Sequence, residues 1–341
     1  MNQNTTSRAG QVGRAGLTGF ASLDSPEAYL GQVLFVSGPE KHCGKTTFMN
    51  RAMVLARRGA VKAGKKPPAV MTVGYDGEAR DFLTGVRKPA VPVQSGDVFI
   101  TTERFLRQSG SCPEILDVAP GVGALGRLCI ARASRDGVVA LVGPEGNKAV
   151  AWILESLVDG GLADTVLVDG AINRITQAAS RKAARFVYVL RVDRAGLRRA
   201  VDRVRRIGAL MALPMALDGS LAGSSLYIDG ALTAETAARV PLATKSVVVD
   251  DFTKIFLDRS ELAAFTRDHG LAVVRQIDFA GFVVSCRGLS DDEFIRCLDD
   301  KELAALVCFN SYQICPAVSG NCQPGGLNQP VNQHEPEGGF R

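Results

Sequence analysis

What the chain lacks narrows its class first. Its eight cysteines (Cys43, Cys112, Cys129, Cys286, Cys297, Cys308, Cys315 and Cys322) include no CxxC pair. That excludes a dithiol redox motif and a usual zinc knuckle, and fits free thiols in a reducing cytoplasm. Cys308, Cys315 and Cys322 recur every seven residues, whereas zinc sites favour closer pairs. Histidine is scarce: only His42, His269 and His334 occur. A metal site built on such residues is not expected, and no Cys–His–acid spacing points to covalent nucleophilic catalysis. No apolar run reaches the roughly eighteen residues of a transmembrane helix. The first 20 residues carry Arg8 and Arg14 but no apolar core of signal-peptide length. They read as a frayed tail, with an amphipathic transit peptide as the alternative. A net charge of +5 is too mild to imply nucleic acid.

What is there is ample material for a core. The chain has 341 residues, 46% of them hydrophobic, enough for one large domain or a domain plus an extension. The apolar run at 32–37 predicts a strand buried on both faces, and the run at 69–74 a second strand. Phe48, Ala52, Leu55 and Ala56 fall at helical spacing and predict a helix over 45–63. Further strands are expected near 96–101, 114–118, 128–133, 138–142, 165–168 and 186–190. Asp136-Gly137 between two of these is a hairpin signal, and a helix over 128–133 is the alternative. Helices are expected over 147–158 and 194–210. Strands alternating with helices predict an α/β fold, a mostly parallel sheet wrapped by helices. After Pro214 the texture changes to short strands near 226–228, 246–249, 252–257, 271–276 and 282–285. Short helices are expected around 260–269 and 291–306. No internal repeat is evident.

The strongest chemical signal is Ser37–Thr47, S-G-P-E-K-H-C-G-K-T-T. A predicted strand enters it and a predicted helix leaves it, the context that a phosphate loop requires. Backbone N–H groups and the helix dipole suit a phosphate there. Gly38, Lys41, Cys43, Gly44, Lys45, Thr46 and Thr47 are the binding candidates. Lys45 is placed to reach the β- and γ-phosphates, and the Thr46 hydroxyl to ligate magnesium. Five residues, Pro39 to Cys43, separate the glycines where four are usual. A plain glycine turn before Lys-Thr is the competing reading.

Carboxylates complete the set. Asp169 ends the apolar run T-V-L-V, where it can hold a magnesium water, or it is an ordinary Asp-Gly turn. Asp76, in G-Y-D-G-E, follows the second strand and is either a turn residue or a candidate acid, with Glu78 beside it. Arg174 is a candidate γ-phosphate sensor or a surface arginine. The basic stretch 181–206 reads as a solvated helix face, then as a dock for an acidic partner, and last as a DNA surface. Residues 1–30 thus read as a flexible tail and 31–214 as a nucleotide-binding core. Residues 215–310 read as an α+β extension packed on that core. Residues 311–341, rich in Pro, Gly, Asn and Gln, are expected to be disordered.

The five-residue spacing resembles dethiobiotin synthetase and its relatives in cobalamin biosynthesis, within the P-loop class of the MinD and ParA ATPases. That class implies that Asp76 polarises the attacking water or binds magnesium. It also raises the idea of Lys41 crossing a homodimer interface, although its position differs from the signature lysine. A narrower set of phrases is S-G-P-E-K-H-C-G-K-T-T-F at 37–48, D-G-E at 76–78, E-I-L-D-V at 114–118, L-V-G-P-E at 141–145 and V-D-G-A-I-N-R at 168–174. Together they are similar to the P-loop subunit of the lysine 5,6-aminomutase reactivase. The resemblance spans 32–285. It implies ATP and Mg2+ as cofactors, with a MutS-like ATPase subunit and an adenosylcobalamin-dependent aminomutase as partners. The implied task is nucleotide-driven exchange of damaged cobalamin. A dethiobiotin synthetase-like biosynthetic enzyme and a MinD-like positioning ATPase are the competing classes.

Overall fold

The computed structural model describes residues 22–39, 43–73, 91–123, 125–144, 146–170, 184–216 and 225–310. The tail 311–341, most of 1–30, and Lys41, Asp76, Glu78 and Arg174 lie outside the described residues.

The first strand, β1 (Val33–Ser37), shows why the sheet is layered on both sides. All five of its residues are buried, with Val33 and Phe35 on one face and Leu34 and Val36 on the other. A strand of that kind needs helices above and below it. Eight more strands join it: β2 (Ala69–Val73), β4 (Val98–Thr102), β5 (Pro113–Val118), β6 (Leu128–Ala133), β8 (Val166–Gly170), β9 (Ala184–Asp193), β13 (Asp278–Arg287) and β14 (Val307–Phe309). The order is β14-β13-β9-β1-β8-β2-β4-β6-β5. Every pairing is parallel except those of β6, which runs against β4 and β5. The chain is therefore α/β with a large, mostly parallel sheet.

Helix α1 (Lys45–Ala63) buries Phe48, Ala52, Leu55 and Ala56, the expected stripe, on one face of the sheet. It stops at Gly64, whose left-handed φ of 63° closes the helix. The other face carries α2 (Asn147–Val158), α3 (Leu197–Met211), α4 (Arg259–Asp268) and α5 (Asp291–Leu298). A small parallel sheet, β10 (Ser225–Ile228), β11 (Ser246–Val249) and β12 (Gly270–Val273), buries Val247, Val249, Leu271 and Val273 into the same core. The chain after Pro214 also supplies β13 and β14, so the central sheet continues across the expected boundary.

Several sequence expectations need correction. Asp136-Gly137 makes no hairpin. The preceding strand β6 pairs with β4 and β5, while β7 (Gly137–Val139) pairs with β3 (Val91–Val93) in a separate ribbon. The Asp136 carboxylate instead accepts from the Ser95 amide, tying the turn to another loop. The strand expected over 252–257 is a short 3-10 turn at Phe252–Lys254. Asp251 accepts from the Thr253 amide and hydroxyl, which curls the chain, and Phe252 stacks on Phe186. The tail ends earlier than residue 30. Tyr29 is fully buried, and its hydroxyl donates to Leu23 O at 2.7 Å. The helix expected over 291–306 breaks at Asp299, which adopts a φ of 42°.

One ion pair fastens α1 to the sheet. Asp97, 1% exposed at the start of β4, accepts from Arg57 Nε at 2.9 Å and from the Gln94 amide at 2.7 Å. Removing one partner strands the other charge in the interior, which costs about 3–5 kcal/mol. Asp97→Ala is therefore expected to lower unfolding free energy by about 3 kcal/mol in a denaturant titration. A loss under about 1 kcal/mol would mean that water screens the pair.

Candidate functional site

Strand β1 carries the chain to the carboxyl edge of the sheet at Ser37, and the reversal into α1 begins at Gly38. A Cβ at Gly38 would lie 2.6 Å from Cys43 Sγ and 2.7 Å from Val189 O. No larger residue fits, because Cys43 is folded beneath the turn at 1% exposure. At the far end Gly44 precedes α1 with a φ of 103°, a left-handed conformation that favours glycine. Its carbonyl accepts from the Phe48 amide at 3.0 Å and the Asn310 side-chain amide at 3.4 Å.

The opening of α1 is suited to an anion. The helix has 19 residues, no side-chain cap among the described residues and no acidic residue in its first turn. Its first amides have no intrahelical acceptor, and the helix dipole adds partial positive charge. Lys45, Thr46 and Thr47 are half-buried there. Lys45 Nζ lies 3.8 Å from Cys43 Sγ, so its stem lies back along the turn.

Asp169 is brought alongside. On β8 it pairs with Val36 of β1 and with Thr72 of β2. Parallel neighbours lie roughly 4.8 Å apart, so its backbone is one strand away from the entry to the turn. Thr72 Oγ1 donates to Asp169 O at 3.3 Å, which fixes the strand end. Of the sequence candidates, Gly38, Cys43, Gly44, Lys45, Thr46, Thr47 and Asp169 therefore gather at one sheet edge.

Three residues here escaped sequence reasoning in this role. Ser37, Ser285 and Asn310 are 1%, 1% and 4% exposed at the ends of β1, β13 and β14. Among the described residues, Ser37 Oγ, Ser285 Oγ and Asn310 Oδ1 have no hydrogen-bond partner. A Cβ on Gly44 would meet Asn310 Nδ2 at 3.1 Å and Ser285 Oγ at 3.2 Å, so both side chains press on the turn. An unmet buried oxygen costs about 1–3 kcal/mol, and a fold carries that cost where a ligand, a catalytic step or an ordered water uses the group. No local motif marks Ser285 and Asn310, because more than two hundred residues separate them from the turn.

Two thiols of β13 and β14 are held in the protonated form. Burial, with Asp291 as a lesser cause, pushes the Cys286 thiol up to about 12. Burial also raises Cys308, against the opposing charge of Arg51. Neither is a thiolate at neutral pH. Among the described residues no three His, Cys, Asp or Glu side chains gather to hold a metal. A cation here would need oxygens from outside that set, as magnesium does when phosphates complete its shell.

The basic helix is used in part for packing. Arg205 donates to Leu298 O at 2.9 Å, and Arg206 donates to Ile255 O at 2.8 Å. Arg259 pairs with Asp202 on the same helix. Arg198 and Arg199 stay exposed. No helix among the described residues is long and apolar enough to cross a membrane. Compared with models of known families, with curated proteins and with solved structures, the chain has no significant match.

The crowding at Gly38 gives a direct expectation. Gly38→Ala forces backbone to move at Val189 and is expected to destabilise by about 1–3 kcal/mol. The melting temperature should fall by several degrees, whereas Gly64→Asn, at an open left-handed site, should be nearly neutral. Equal effects of the two substitutions would mean that the turn has room to spare.

Proposed function

We propose that the Ser37–Thr47 turn is a phosphate-binding loop and that the chain binds ATP with magnesium. The observation that carries this reading is the register of Val36 with Asp169. It sets a carboxylate strand end beside a glycine turn that opens a long, uncapped helix. The residues present fit the ligand. Gly38 and Gly44 let the turn pack tightly on Cys43, Val189, Ser285 and Asn310, and the first amides of α1 with Lys45 offer donors for the phosphates. Thr46 and Asp169, with Asp76, would hold magnesium, and Lys41, Cys43 and Thr47 belong to the same loop. The metal would supply charge neutralisation at the terminal phosphates. What the chain itself does is orient the phosphates and exclude alternative geometry through a turn that tolerates no side chain at Gly38.

Titration calorimetry tests this reading. Lys45→Ala should weaken MgATP binding by at least about tenfold, the value of one charged hydrogen bond. Asp169→Asn should fold normally and lose the magnesium-dependent part of the affinity. Unchanged binding in both variants would return the turn to a structural role.

The wider role proposed is that of the ATP-binding subunit of a reactivating factor for an adenosylcobalamin-dependent aminomutase. The phrase set at 37–48 and 168–174 supports it, together with the two nucleotide states that such a factor needs. The purified chain should hydrolyse ATP slowly. Addition of a MutS-like subunit and a cobalamin-inactivated aminomutase should raise turnover by a power of ten or more and restore mutase activity with fresh adenosylcobalamin. Rapid partner-free phosphorylation of a small carboxylate-bearing substrate would instead favour a dethiobiotin synthetase-like enzyme.

A further inference from the structure

Strand β9 runs on past its neighbour. β1 ends at Ser37, opposite Tyr188, whereas β9 continues to Asp193. Over that continuation β9 pairs only with β13 among the described residues. Its other flank therefore borders the space that β1 vacates when the chain turns away at Gly38. The opposite border is the end of β8, where Asp169 and Gly170 stand. Strands β8 and β9 lie two strand spacings apart, roughly 10 Å, with the glycine turn rising between them.

The continuation carries a cation on the side of the turn. Side chains alternate between the faces of a strand. Val187 and Val189 belong to the core under α1, and Tyr188, Leu190 and Val192 to the core on the other face. Arg191 therefore shares the face of Val189. That valine is already at the turn: its carbonyl oxygen would lie 2.7 Å from a Cβ on Gly38, and its Cγ1 3.8 Å from a Cβ on Gly44. Arg191 stands two residues further along the strand, roughly 7 Å beyond Val189, a distance that an arginine side chain spans. Its register partner on β13 is Ser285, whose hydroxyl would lie 3.2 Å from the same Cβ on Gly44. Two adjacent strands thus direct Arg191 and Ser285 from one face toward the opening of α1.

Burial and pairing set Arg191 apart from its neighbours. Ala184 to Leu190 are all buried, and Arg191 is the first side chain of β9 to emerge into solvent. Asp193 lies on the same face, but its carboxylate accepts from the Gly196 amide at 2.7 Å. Arg194 pairs with Glu293 at 3.2 Å and donates to Gly288 O at 3.2 Å. Arg191 makes no ion pair among the described residues.

We infer that Arg191 binds the phosphate chain of the nucleotide on the flank away from Asp169 and the metal. The inference rests on the reading of the Ser37–Thr47 turn as a phosphate loop. Thr46 and Asp169 serve the metal on the β8 side, and the guanidinium meets the oxygens left on the β9 side. Its planar fork of donors suits two phosphate oxygens at once, which the point charge of Lys45 does not supply.

The test is titration of the full chain, wild type and variants, with ATP in the presence of magnesium and with magnesium chelated. Arg191→Gln removes the charge at an exposed position and should leave the melting temperature nearly unchanged. It should raise the dissociation constant by about tenfold or more, by the same factor with and without the metal. Arg191→Lys keeps the charge without the fork and should fall between the two. Wild-type chain that binds no MgATP would remove the phosphate-loop reading and this inference together. Wild-type binding that Arg191→Gln leaves unchanged would overturn this inference alone. A loss seen only with magnesium present would do the same, because it would put Arg191 on the metal's side of the chain.

Discussion

Strand β1 lies between two parallel partners, β8 and β9, and is buried on both faces, so it can end in only one way. At Ser37 the chain must leave the sheet and reverse into α1 against the Val189 carbonyl, with no space for a side chain at Gly38. The registers on either side follow from the same confinement. Val36 sits opposite Asp169, and Ser37 opposite Tyr188. Slipping either pairing by one residue would exchange the two core faces of β1. The gathering of Gly38, Gly44, Lys45 and Asp169 is thus a consequence of core packing, before any ligand is considered.

The far side of the turn is finished by the last part of the fold. Strands β13 and β14 extend the sheet beyond β9 and bring Ser285 and Asn310 against Gly44. The region after Pro214 therefore contributes to the same edge as the glycine turn. That contribution rests on buried helices whose ends are tied by arginine–carbonyl bonds. Arg205 and Arg206 of α3 satisfy carbonyls at Leu298, Leu257 and Ile255. A net positive stretch that reads as a binding surface is, in part, the joint between layers.

Much of this was legible in the sequence where the cause is local. The runs at 32–37 and 69–74 and the spacing of Phe48, Ala52, Leu55 and Ala56 report burial directly, and those elements appear within a residue or two of expectation. Asp-Gly at 136–137 misled because a turn residue signals a change of direction, not which strand will be the partner. The apolar run at 252–257 misled because Asp251 captures the local amide before a ladder can form. Ser285 and Asn310 were invisible as site residues, since only a sheet assembled from distant segments brings them to Gly44.

The central claim is that one edge of the sheet holds a site for a nucleotide's phosphates. It is tested most directly by backbone amide NMR shifts of the isotope-labelled full chain on addition of MgATP. The account predicts saturable shifts concentrated at Gly38, Gly44, Lys45, Thr46, Thr47, Asp169 and Gly170, with the amides of β10, β11 and β12 unmoved. Shifts that are absent from those residues at saturation, or confined to another part of the fold, would contradict it.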